Sequence, residues 1–163
     1  MELENVKGKR ISESSELEYV LDQYKLYVST AEKVSDRRNY VNTFYLTLTT
    51  SIVGVVGYVK TNNIDDDKYL VIGLSICAIL ICIYWISLLE NYRKLNSGKF
   101  KVIHEIEKRL PLNLFDYEWE KLGRGKDKKL YKKMSNVEKG IPIIFGALFL
   151  FVIFFELLGL ICQ

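Results

Sequence analysis

The stretch YLVIGLSICAILICIYWISLL, residues 69–89, decides the fold of this chain, because none of its residues carries a charge. At about 1.5 Å of rise per residue, a helix of this length crosses the roughly 30 Å hydrocarbon layer of a bilayer. Tyr69, Tyr84 and Trp85 lie near its ends, where interfacial aromatic residues are common. The stretch therefore predicts a transmembrane helix.

Two further blocks have the same length and a similar composition. Residues 140–162, GIPIIFGALFLFVIFFELLGLIC, carry one charge, Glu156, and residues 40–59 carry none but are less apolar. A short connection, 60–68, follows the block at 40–59, whereas 1–39 and 90–139 are strongly charged. The sequence predicts an all-α integral membrane protein with three transmembrane helices and a cytoplasmic helical region.

Basic residues are distributed unevenly among the connecting segments. Of the 23 Lys and Arg residues, only Lys60 and Lys68 lie in the 60–68 connection, and none follows the third block. Because cytoplasmic loops carry an excess of Lys and Arg, we expect 1–39 and 90–139 to be cytoplasmic. We then expect the C-terminus to lie outside.

The N-terminal segment predicts a long helix that leads into the first span. Ser15 and Glu18 have the spacing of a capping box, and no Pro or Gly interrupts residues 11–53. A heptad-like stripe follows: Leu17, Leu21, Tyr24, Val28 and Ala31. Such a stripe packs on a partner helix. The pattern leaves open whether that helix lies in the same chain or in a neighbouring subunit.

The 90–139 region predicts shorter helices. Asn96-Ser97-Gly98 is a turn signal that we expect to end the second helix, and residues 99–110 then form an amphipathic helix that stops at Pro111. Phe115, Trp119 and Leu122 have the spacing of one face of a short helix, which Gly123 can terminate at the C′ position. Ser135 and Glu138 form a second capping box before the third span.

The first span has one face of small and hydroxyl side chains, which could pack against another helix or line a pore. Small residues let helices approach closely in lipid, so the packing interpretation is favoured. The face comprises Thr43, Thr47, Thr50, Ser51 and Gly54.

Two charged features invite a functional interpretation. A basic run before the third span could contact anionic lipid headgroups or only set topology, while nucleic-acid binding ranks third. Glu156 is an acid inside a predicted span, and two interpretations fit it: a functional site, or a side chain that reaches the nearby interface. Burial against another subunit is compatible with both. The lysines for lipid contact are Lys126, Lys128, Lys129, Lys132 and Lys133.

Catalytic and metal-binding patterns are weak. Asp65, Asp66 and Asp67 fit a solvated turn better than a cation site, because one short loop rarely surrounds Ca²⁺ with enough oxygen atoms. His104 has neither a second His nor a Cys in metal-ligand spacing, and it lacks the partners of a Ser/His/Asp arrangement. We expect no enzyme, no cofactor and no bound metal.

Several short stretches form a joint pattern. They are residues 31–38, AEKVSDRR, with Asn42; residues 92–104, YRKLNSGKFKVIH, followed by Glu107; and Leu110-Pro111, Glu118-Trp119 and residues 122–126, LGRGK. Together they resemble the RipA family of small octameric bacterial membrane proteins. The resemblance implies a homo-oligomeric ring of eight subunits in the bacterial cytoplasmic membrane and supplies no catalytic residue. The arrangement of helices is also similar to SLATT-type membrane effectors of bacterial conflict systems.

Two functional hypotheses fit these observations. The first is a non-enzymatic homo-oligomeric membrane protein that acts as a regulated pore or membrane effector in stress or phage defence. The alternative is a membrane scaffold that organises partner proteins or lipids without conduction. An enzyme acting on lipid headgroups ranks third.

Overall fold

The computed structural model describes residues 14–62, 67–125 and 137–161, and these residues are almost entirely helical. The α-helices of this described part are α1, Ser14–Thr61; α2, Asp67–Glu107; α3, Leu114–Lys121; and α4, Gly140–Ile161. A single 3₁₀ turn, Gly123–Gly125, follows α3. The expected all-α architecture is confirmed.

Among the described residues, two helices are long and apolar enough to cross a bilayer, Lys68–Glu107 and Gly140–Gly159. They contain the second predicted span and most of the third. The predicted first span, residues 40–59, lies within α1 and is helical throughout. It is not one of these two strongly apolar segments, because its threonines and glycines dilute the aliphatic residues.

The expected helix break at Asn96-Ser97-Gly98 is wrong. Helix α2 continues through these residues and ends at Glu107, three residues before the predicted end. A glycine inside a helix costs about 1 kcal/mol relative to alanine. Full burial of one large aliphatic side chain contributes about 1.5–3 kcal/mol, and Ile103 is fully buried on the continuation of the helix. Packing therefore outweighs the local turn signal.

The predicted ends of other helices agree with the structure. Helix α1 begins at Ser14, one residue before the predicted N-cap, a difference within the usual spread of helix boundaries. Helix α3 ends at Lys121, and Gly123 follows with φ 67°, a left-handed conformation that favours glycine. Ser135 lies outside the described residues.

The chain divides into two compact units. Unit 1 comprises Met1–Asp36 and Arg93–Lys133, and unit 2 comprises Arg37–Tyr92 and Met134–Gln163. In unit 1 the buried side chains include Ala31, Val34 and Ile103. Part of the predicted heptad-like stripe is therefore buried within the chain.

Unit 2 contains all three predicted membrane segments. Val56, Val59 and Val71 form a buried cluster, against which Ile52, Leu74 and Val152 pack. Trp85, Leu89 and Phe149 are also buried. Helices α1, α2 and α4 thus share one apolar core.

Candidate functional site

Charged side chains attach one end of α4 to both other helices of unit 2. Arg38 of α1 pairs with Glu138 at 3.2 Å, and both side chains are mostly buried. Lys139 donates to Glu90 of α2. These pairs lie beside the start of the third span, so they fix where α4 begins.

A second pair of contacts attaches the other end of α4. Lys60 Nζ lies 2.9 Å from each carboxylate oxygen of Glu156, and Lys68 Nζ donates to the backbone carbonyl of Gly159 at 3.4 Å. Glu156 therefore has a partner on α1. The sequence left its role open because the partner lies 96 positions away.

The two groups of charged contacts are separated by about one bilayer. Between Arg38 and Lys60, and between Lys68 and Glu90, each helix rises about 33 Å at 1.5 Å per residue. Between Lys139 and Glu156 the rise is about 26 Å. No charged residue lies between the members of each pair. These distances match a hydrocarbon layer of roughly 30 Å.

The small-residue face of α1 is exposed in the protomer. Thr43, Thr47, Thr50, Ser51 and Gly54 are all exposed, and a Cβ atom added at Gly54 would meet no atom within 4 Å. The packing surface of α1 lies on its opposite side, where Thr49 and Val56 are buried. The face is therefore not a packing surface within the chain. The face is therefore available for contact with another subunit, with a pore axis or with lipid.

Three hydroxyl groups of this face donate to the preceding turn of the same helix. Thr43 donates to the carbonyl of Asn39 at 3.1 Å, Thr47 to that of Thr43 at 2.9 Å, and Ser51 to that of Thr47 at 2.8 Å. Each donor is thus satisfied inside α1, while the hydroxyl oxygen retains lone pairs. The face can accept hydrogen bonds from water, and these three donors would stay paired if it were buried.

Sequence reasoning missed a polar contact inside the core of unit 2. Trp85 Nε1 donates to Asn42 Oδ1 at 2.9 Å, and the ring of Tyr45 stacks on Trp85 with 5.8 Å between ring centroids. Trp85 is almost fully buried. The available signal was Asn42 itself, an amide in a predicted span, because such a group needs a partner in lipid.

In unit 1, a buried carboxylate joins three helices. Glu107 at the end of α2 accepts hydrogen bonds from the Tyr24 hydroxyl of α1 and from the backbone N–H groups of Phe115 and Asp116 in α3. Burial and the bond to Glu107 raise the pKa of Tyr24 to about 12. The hydroxyl therefore stays protonated and continues to donate at neutral pH.

Further polar contacts also lie in unit 1. Lys99 donates to the Thr30 hydroxyl at 2.8 Å and lies 4.8 Å from the centre of the Tyr27 ring. His104 Nδ1 lies 4.0 Å from Asp116 Oδ1, so the sole histidine faces a carboxylate. These contacts connect α1, α2 and α3 within unit 1.

Several predicted site residues lie outside the described part of the chain. Among them are Asp65 and Asp66, together with the lysines predicted to contact lipid headgroups, Lys126, Lys128, Lys129, Lys132 and Lys133. Their roles stay predictions. At the edge of the basic run, Arg124 pairs with Asp116 at 3.5 Å, so that side chain is engaged within unit 1.

A match to a known protein family supports the assignment of membrane helices. The family model of the octameric membrane protein family (8xMP) matches residues 21–158. No curated protein and no solved structure matches the chain. The match confirms an octameric membrane family, while the narrower RipA name and the likeness to SLATT effectors stay predictions. Since the matched residues include both strongly apolar helices and most of α1, the chain belongs to the octameric membrane protein family.

Proposed function

We propose that this protein is a non-enzymatic ring of eight identical subunits that acts as a regulated pore or membrane effector. The observation that carries the proposal is the exposed hydroxyl face of α1, which the protomer leaves unused in its own packing. Stress or phage defence is the setting proposed for it. The bacterial cytoplasmic membrane is the proposed location.

Each subunit crosses the membrane three times, with the N-terminus inside and the C-terminus outside. Support comes from the two groups of charged contacts, which lie at the two ends of uncharged stretches of membrane length on α1, α2 and α4. The basic residues support the orientation, since all but Lys60 and Lys68 fall on the proposed cytoplasmic side. That side also carries the lysine run proposed to contact anionic lipids.

The exposed faces of the three helices differ in chemistry. Leu80 and Ile83 on α2, and Leu150, Phe151 and Phe154 on α4, present large apolar side chains that suit lipid. The exposed surface of α1 presents hydroxyl groups and glycine beside large side chains such as Phe44, Val55 and Tyr58. In a ring, this difference favours α2 and α4 toward lipid and the α1 face toward the interior. Hydroxyl oxygens there would support a water column.

A scaffold without conduction is the second candidate. The observation in its favour is that Thr43, Thr47 and Ser51 donate their protons to their own helix. These three donors would stay paired if the face were buried against a neighbouring subunit. In this case the α1 faces would close the ring.

Leakage from liposomes separates the two candidates. We expect the parent octamer to release a small ion or dye, and Thr47→Leu and Ser51→Leu to reduce release while the octamer persists in native mass spectrometry. Cys77→Leu is the matched control, because it adds similar bulk on an exposed face of α2. No leakage from the parent contradicts the pore. Loss of the octamer in the two α1 variants assigns the face to subunit contact.

A further inference from the structure

Helix α3 is weakly held by its own sequence. It has eight residues, none of them buried, and isolated helices shorter than about 12–15 residues are marginal in water. Its N-cap residue, Asn113, makes no side-chain capping hydrogen bond. The free N–H groups of its first turn therefore need acceptors from elsewhere in the protein.

Glu107 supplies those acceptors from a different helix. Its Oε1 accepts from the N–H of Phe115 at 2.9 Å, and its Oε2 accepts from the N–H of Asp116 at 3.1 Å. The side chain is 1% exposed, and its third donor is the Tyr24 hydroxyl, also at 2.9 Å. A negative charge at this position is also stabilised by the dipole of α3.

The aromatic contacts of α3 depend on the same arrangement. The ring of Phe115 lies 5.7 Å from that of Phe100 on α2 and 6.5 Å from that of Tyr24 on α1, measured between centroids. Phe115 is also the residue whose N–H is held by Glu107. Loss of the carboxylate contact would release the backbone and the ring of Phe115 together.

A second contact of α3 involves Asp116. Arg124 has a left-handed backbone, φ 51°, which is unfavourable for a side chain larger than glycine, and its guanidinium lies 3.5 Å from Asp116. His104 faces the same carboxylate. The Arg124–Asp116 ion pair is partly exposed, so it is weaker than the buried contacts of Glu107.

From these contacts we propose that α3 is a detachable switch element, docked while the Glu107 carboxylate accepts the N–H groups of its first turn and released when that contact is lost. Replacement of the carboxylate by an amide removes both the charge–dipole attraction and one of the two backbone acceptors. Tyr24 from α1 donates to Glu107, while His104 from α2 and Arg124 face Asp116. The proposal concerns unit 1 alone and holds whether or not the protein conducts.

Hydrogen–deuterium exchange on the intact octamer in detergent tests the switch. We expect Glu107→Gln to increase exchange of the α3 amides roughly tenfold or more, because glutamine offers one acceptor and no charge. Glu105→Gln is the matched control: Glu105 is exposed, pairs with Lys108 and lies on the same turn of α2. Its α3 exchange should equal that of the parent.

Equal protection of α3 in Glu107→Gln and in the parent would overturn the proposal. If Glu107→Gln fails to assemble, Tyr24→Phe replaces it, because it removes one of the three donors to the carboxylate. Increased α3 exchange in Tyr24→Phe then supports the switch, and unchanged exchange contradicts it. Tyr24→Phe retains the charge and both backbone contacts, so it should increase exchange less than Glu107→Gln.

Discussion

Lys60 of α1 and Glu156 of α4 form an ion pair in which both carboxylate oxygens lie 2.9 Å from Nζ. The Glu156 side chain is 12% exposed and that of Lys60 is 38% exposed, so the carboxylate is the more desolvated partner. The pair explains how an acid is accommodated in the most apolar helix of the protein. It also fixes the register of α4 against α1.

Removal of one partner should destabilise unit 2. For Glu156→Gln and Lys60→Gln we expect a loss of about 1–3 kcal/mol in the free energy of unfolding, less than for a fully buried pair because Lys60 reaches solvent. The exchange of both charges, Lys60→Glu with Glu156→Lys, should recover most of the loss. Reversible unfolding in mixed micelles measures all three variants.

The exposed pair Lys108–Glu105 is the control for these variants. Lys108→Gln should leave the free energy of unfolding almost unchanged, since exposed ion pairs contribute little. If the double variant Lys60→Glu with Glu156→Lys is no more stable than Glu156→Gln or Lys60→Gln, the Lys60–Glu156 attraction is not what holds α4.

Two neighbouring threonines should respond differently to the same substitution. Thr49 is fully buried and Thr47 is exposed on the opposite side of α1. Thr49→Leu overfills a packed site and should lower the stability of the protomer by about 1–3 kcal/mol. Thr47→Leu should leave protomer stability unchanged, so any effect it has belongs to the ring. Detergent unfolding of monomerised protein gives both values, and equal losses would contradict the assignment of faces.

The Tyr24 hydroxyl should titrate near pH 12 in the folded protein. Its pKa is raised by burial and by the bond to Glu107, so its folded pKa exceeds the unfolded value of 10.0. The contribution of this raised pKa to the free energy of unfolding is complete below pH 10.0 and is lost as the pH rises through about 12. Nuclear magnetic resonance of ring-labelled tyrosine measures the midpoint. In Glu107→Gln the midpoint should fall toward 10.0, while in Glu105→Gln it should not move.

The three-span topology predicts the location of three reporters. A reporter at Ile64, in the 60–68 connection, should report the outside, because the first span has crossed the membrane. A reporter at the C-terminus should also report the outside, because the second span returns the chain to the cytoplasm and the third crosses again. A fusion within 90–139 should report the cytoplasm. An internal signal from the C-terminal reporter would mean that α4 does not span, and an internal signal at Ile64 would mean that the 40–59 part of α1 does not.

Where the sequence prediction was correct, the signal was local. Long apolar stretches predict membrane helices because lipid forces each backbone group to pair within its own segment. The end of α3 was predictable because the left-handed residue after a helix is usually glycine, and Gly123 is placed there. Family resemblance added the octameric assembly, which no single segment of the chain encodes.

The sequence alone determined the apolar segments, the charge asymmetry and the small-residue face of α1, because each depends on residues close together in the chain. Only the tertiary structure decided the partner of Glu156, the continuation of α2 through Gly98, and the meeting of Tyr24, Glu107 and Phe115. These features depend on side chains that are far apart in sequence or on packing that outweighs a local turn signal. Burial makes such contacts strong, and burial exists only once the helices have packed.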